Sequence, residues 1–220
     1  MLSLIDDGLL HDIDVALNRQ NTVLKVTADV LEIFTTVERV KKRAEASGLS
    51  TMQSISLETG FDLKRKDTQN KVLRKIFEEK PYLVIMAFPC TLWSLLQNLT
   101  RHKRDLEGLR EEERKLLNFV KVVCKLQMKQ GRHFLLENPL GSQAWQEEHI
   151  QAILQMPGVH SVRADMCAYG KRAEENGELV KKPTRFVSDS PLILRGLARR
   201  CCGGHKHADF HTLRNTAKTG

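Results

Sequence analysis

No apolar run in this 220-residue chain approaches the length of a membrane span. The longest, such as residues 83–88, fall far short of the roughly 20 residues that a bilayer helix needs. Thirteen glycines and six prolines are too few for a collagen-like or low-complexity chain. The opening stretch MLSLIDDGLLHDID carries acids where a secretory signal needs a basic start and a long apolar run. The expectation is a chain that is intracellular, in cytoplasm or nucleus, not secreted and without a membrane partner. Five cysteines make an odd number in a chain too large to need stapling, so a disulfide framework is not expected. Each thiol is then core, ligand or nucleophile.

What is present suits a single α/β domain. Hydrophobic residues make up 41% and charged residues 28%, enough apolar material to bury a core. The net charge of +8 is concentrated at one end. Residues 160–220 hold twelve Lys/Arg against six Asp/Glu, and the preceding residues hold 23 against 21. Such an end faces a polyanion or is a solvated surface.

Apolar spacing predicts an amphipathic helix within residues 1–22 and a short buried strand at 30–34. A charged helix stopped by Gly48, a strand at 52–57 and a helix at 67–80 follow. Residues 82–88 (YLVIMAF) form the strongest strand signal, continuous, apolar and bounded by prolines. Beyond it the pattern predicts a helix at 111–130, a strand at 133–137 cut off by Asn138-Pro139, and a helix at 142–156. Strands at 159–165 and 185–190 complete it. Strands alternating with helices imply βαβ units, hence a Rossmann-like, doubly wound, mostly parallel sheet. Residues 23–200 form this domain, and 201–220 form a basic Cys/His-containing tail.

In an open α/β sheet, ligands bind beyond the carboxyl ends of the strands. Those ends read Phe34-Thr35-Thr36, Pro89-Cys90-Thr91-Leu92-Trp93-Ser94, Glu137-Asn138-Pro139 and Met166-Cys167-Ala168-Tyr169-Gly170. Cys90 is either a nucleophile or a small apolar residue at a strand end. Glu137 follows an apolar strand, where an acid needs a partner or a function.

Pro89-Cys90 with Ser94, then Glu137-Asn138-Pro139, then Tyr169-Gly170 resemble, in order, the PCQxFS, ENV and YGxPQxR segments of cytosine-C5 DNA methyltransferases. Residues 31–34 resemble the first strand of that class I methyltransferase-type fold. Lys182-Pro183-Thr184-Arg185 resembles a KPTR stretch of phage-type and transposon-borne relatives, and methyltransferase-like modules of retroelement polyproteins look closest. The resemblance spans roughly residues 28–207. It implies Cys90 as the thiol that adds to cytosine C6 and Glu137 as the acid at the N3 edge of a flipped base. It also implies S-adenosylmethionine near Phe34, Thr35, Thr36, Glu58 and Pro89. Ser94, Asn138, Tyr169 and Arg185 would touch the substrate, a nucleic acid and first of all DNA.

The cofactor turn departs from the family: Thr35-Thr36-Val37-Glu38-Arg39 has no glycine to let the backbone approach a ligand. The expected function is therefore a degenerate cytosine-C5 DNA methyltransferase-like module that binds nucleic acid with weak or no methyl transfer. An active S-adenosylmethionine-dependent methyltransferase and a non-catalytic interaction module are the alternatives. Cys201-Cys202-Gly-Gly-His205-Lys-His207 suggests metal, with Cys167 or His211 as a conceivable fourth ligand. Its spacing matches no standard zinc finger. The expectation is a glycine turn with surface or phosphate-touching histidines, and no zinc.

Overall fold

The computed structural model describes residues 26–35, 37–94, 106–174 and 176–208. The amphipathic helix expected within residues 1–22, Thr36 and residues 209–220 lie outside them. Five strands form one sheet: β1 (Ala28–Ile33), β2 (Pro81–Met86), β3 (His133–Pro139), β4 (His160–Asp165) and β5 (Pro183–Ser188). Their order is β1-β2-β3-β5-β4. β1 pairs parallel with β2, and β2 with β3, whereas β5 runs antiparallel to both β3 and β4. The chain is thus an α/β protein with a mixed sheet, parallel over its first three strands.

β2 is the expected apolar strand, with Val84 and Met86 fully buried. It is entered from α2 (Lys66–Glu79), whose Val72, Leu73 and Ile76 recur at helical spacing and are buried. Lys80 ends that helix in a left-handed conformation, φ 48°, and Pro81, which cannot continue it, starts the strand. α3 (Leu106–Lys129) presents Leu116, Leu117, Val120, Val123 and Cys124 to the core, so Cys124 is a core thiol. Fully buried side chains such as Phe119, Phe134 and Leu117 each contribute roughly 1.5–3 kcal/mol.

α3 begins five residues before the expected helix, β5 begins two residues before the expected strand, and the helix after β5 has no counterpart among the expected elements. Three further departures have a visible cause. Residues 52–57 give only isolated bridges, flanked by Val30↔Thr51 and formed by Ile33↔Ile55. There Thr59 Oγ1 accepts from Ser56 N at 2.9 Å and donates to Ser54 O at 2.8 Å. This local turn takes backbone groups that a ladder would use. The helix expected at 142–156 is a 3-10 turn (Gln143–Gln146) followed by α4 (Glu148–Leu154). The break holds Trp145, whose Nε1 donates to Pro139 O at 2.8 Å. β3 runs on through Asn138-Pro139, because Asn138 pairs with Arg185 and Pro139 with Thr184 on the antiparallel neighbour.

α1 (Arg39–Ala46) follows β1, and α5 (Pro191–Leu197) follows β5. The latter starts on Ser190, whose Oγ accepts from Ile193 N, with proline at its first position, a sound helix start. Residues 201–208 do not stand apart from the domain: Cys201 N donates to Asp165 Oδ2 at 3.1 Å and Ala208 N to Leu179 O at 2.9 Å. No helix among the described residues is long and apolar enough to cross a membrane.

Candidate functional site at the strand ends

The path across the sheet reverses after β1. The chain first runs along one flank of β1, through the bridges at Thr51 and Ile55, then crosses by way of α2 to β2 on the other flank. A reversal of this kind leaves a crevice beyond the strand ends. The crevice is present as a cavity of about 440 Å³ lined by Phe34, Ser56, Leu57, Glu58, Phe61 and Pro89, among others. That size is within the usual range for small-molecule sites, roughly 300–1,000 Å³. Phe34, Glu58 and Pro89, three residues expected to hold a cofactor, share this lining. Thr35 instead turns inward on its own loop, its Oγ1 accepting from Glu38 N at 3.1 Å.

The β1–α1 turn solves the absence of glycine by strain. Phe34 has φ 67° and Glu38 φ 47°, left-handed values that cost a non-glycine residue of order 1–3 kcal/mol. Phe34 N donates to Ile55 O at 2.9 Å, and its ring meets Phe119 edge-on with centroids 6.5 Å apart. Buried Glu32 sends Oε2 to Lys41 N at 2.7 Å. The first turn of α1, a place where an anionic ligand group could be bound by free N–H groups, therefore already holds a carboxylate of the protein.

Beside the cavity lies a second set of groups. β2 and β3 are neighbours, with Met86 opposite Leu136, so Cys90 and Glu137 extend from the same rim. Glu137 Oε1 is 3.6 Å from Lys182 Nζ. Cys90 feels both: burial raises its thiol pKa, nearby Lys182 lowers it by less, and Glu137 raises it further. The result is a thiol held above its ordinary value, whereas an activated nucleophile needs its pKa lowered. Lys171 stands in the same electrostatic field, with Lys182, Glu137 and Arg39 all acting on it. Thiol, carboxylate and a basic rim from three separate segments thus meet at one place.

Asn138 is 1% exposed, and its Nδ2 donates to Phe88 O at 2.7 Å. It ties the end of β2 to β3 and so fixes Cys90 relative to Glu137. Ser94 closes the 3-10 turn (Thr91–Trp93), donating its N–H to Thr91 O at 3.4 Å. That turn is anchored by buried Trp93, with the Arg110 guanidinium 5.2 Å over the ring. Arg185 lies 5.0 Å over the Trp145 ring and donates to Ser161 Oγ at 3.1 Å. Tyr169 donates its hydroxyl to Leu197 O at 2.8 Å and stacks with Arg199. The structure gathers Cys90, Glu137 and Asn138 at adjoining strand ends, next to Pro89 of the cavity lining. Arg185 pairs with Asn138 on the neighbouring strand, but its guanidinium is engaged by Trp145 and Ser161, and the Tyr169 hydroxyl by Leu197 O. Sequence reading missed the Arg39–Lys171–Lys182 rim, since no charge run announces it. Compared with known protein families and with curated proteins, the chain matches none.

Proposed function

We propose that this chain is a degenerate cytosine-C5 DNA methyltransferase-like module on a Rossmann-like, class I methyltransferase-type sheet. In this reading it binds nucleic acid, DNA foremost, with little or no methyl transfer. The observation that carries the reading is the crevice at the β1/β2 reversal, with Cys90 and Glu137 on adjoining strand ends under a basic rim. A flipped base needs such a pocket next to cationic groups for its backbone.

The residues present do not fit tight binding of S-adenosylmethionine. The cavity has room for a nucleoside-sized group, but Phe34 occupies a turn that calls for glycine. Glu32 fills the α1 amide position that could receive the carboxylate of the cofactor. Burial also keeps Cys90 in its thiol form, which is poorly suited to attack at neutral pH.

Isothermal titration with S-adenosylmethionine and S-adenosylhomocysteine tests this directly. The expected dissociation constants are about 1 mM or weaker, near −4 kcal/mol. A micromolar constant that is lost in Phe34→Asp would overturn the degenerate reading and favour an active enzyme.

A further inference from the structure

We propose that Cys167, Cys201, His205 and His207 form a structural zinc site. This assignment is independent of the methyltransferase-like reading, since none of the four residues takes part in it. The four candidate ligand atoms lie within 4.8 Å of one another. Cys201 Sγ is 3.7 Å from His205 Nε2 and 3.4 Å from His207 Nε2. Tetrahedral zinc with bonds of roughly 2.0–2.3 Å places its ligand atoms about 3.3–3.8 Å apart. The two separations from Cys201 already fall in this range, and the widest in the set, no more than 4.8 Å, closes by about 1 Å on binding.

The surrounding backbone builds the site from two distant segments. Cys167 belongs to the 3-10 turn (Met166–Tyr169) that follows β4. Its partners follow α5, and buried Asp165 draws them in. Asp165 accepts from Cys201 N at 3.1 Å, from Arg200 Nε at 3.2 Å and from Arg163 Nη2 at 2.9 Å. Its own N–H donates to Arg199 O at 2.9 Å. His207 is held from the other side by its parallel bridge with Leu179. Between them Gly203 takes φ 79°, which turns the chain so that Gly203 N donates to Cys201 Sγ at 3.4 Å. An N–H directed at sulfur stabilises the thiolate form that a metal requires.

Ligand chemistry selects the metal. Two sulfurs and two imidazoles with no carboxylate disfavour magnesium and calcium and suit zinc. Four protein ligands leave no open position, so the site is structural: it fastens residues 199–208 to the end of β4. Binding deprotonates Cys167 and Cys201 and releases two protons to solvent. Sequence spacing alone points to a glycine turn with surface histidines, because the run from Cys201 to His207 matches no standard zinc finger and only the fold chooses Cys167 as the fourth ligand.

The test uses the full chain purified under reducing conditions. Elemental analysis is expected to find about one zinc per chain. After chelation, Co(II) is expected to give the d–d bands of a tetrahedral site together with thiolate-to-metal charge transfer. His207→Ala should weaken Co(II) binding by more than about 100-fold, the upper loss usual for mere outer-shell changes. His207→Cys should restore tight binding with stronger charge transfer, and Cys202→Ser should leave the spectrum unchanged. The proposal fails if no metal binds to the folded chain. It fails equally if the cobalt spectrum survives Cys167→Ser plus Cys201→Ser, or if the reduced preparation carries a Cys167–Cys201 disulfide in place of metal.

Discussion

Gln127→Met is expected to lower the stability of the fold by about 3–5 kcal/mol, the order of loss when a buried charge is deprived of its principal partner. Gln127 is fully buried near the end of α3. Its Nε2 donates to Pro81 O at 3.0 Å and to His133 O at 2.9 Å, joining the starts of β2 and β3. Its Oε1 accepts from Arg132 Nε at 3.1 Å and Nη2 at 3.0 Å. Arg132 is 3% exposed, and burial holds its guanidinium pKa down to about 10. Methionine keeps the volume but takes the amide from two carbonyls and from this cation, which is left with Ile76 O and Gln130 Oε1 as acceptors for Nη2 and none for Nε. Arg132→Met should cost less, about 1–3 kcal/mol, because it removes the charge and strands only neutral groups. Urea unfolding of the two variants checks the order. Equal losses, or a loss under about 1 kcal/mol for Gln127→Met, would show that this amide does not hold the sheet entrance together.

A second large effect is expected in nucleic-acid binding. If Arg39 and Lys171 contact phosphates, Arg39→Gln with Lys171→Gln should reduce the slope of log K against log salt by about 2, near 0.9 per contact on duplex DNA. The double variant should also bind a nonspecific duplex more weakly at low salt. Lys182 is left in place because it pairs with Glu137. Arg200 is left because it pairs with Asp165. Fluorescence anisotropy over a salt series measures the slope. An intact protein with a slope near zero contradicts the polyanion reading, and an unchanged slope in the variant moves the contact surface away from the cleft.

The sequence made β2 and α2 legible because each displays one uninterrupted physical signal. β2 is a continuous apolar strand, and α2 carries a 3.6-residue stripe. The reversal of β5 left no such trace: Phe186 and Val187 suit a buried strand in either direction. Residues 52–57 look like a strand, but Thr59, outside the apolar run, diverts their backbone. α5 did carry a signal, Ser190 followed by Pro191, diluted by Gly196 within the helix. At the site, Cys90 and Glu137 were readable as strand ends marked by proline. The rim was not, since Arg39 and Lys182 come within electrostatic reach of Lys171 only after three segments fold together. Tyr169 stood at the right strand end, yet its hydroxyl is spent on Leu197 O, a pairing that sequence order cannot reveal.

The central claim is binding at the cleft without methyl transfer, and one gel experiment addresses both halves. The protein is incubated with S-adenosylmethionine and a duplex containing 5-fluorocytosine, which traps the thiol adduct after methyl transfer, because fluorine at C5 cannot be removed as the proton is and the thiol is not eliminated. Samples are run under native and denaturing conditions. The account predicts a retarded native complex that dissolves with added salt, and no denaturant-stable adduct. A denaturant-stable adduct that disappears in Cys90→Ser would contradict it by showing that the chemistry survives. Absence of any native complex at low salt would contradict it from the other side.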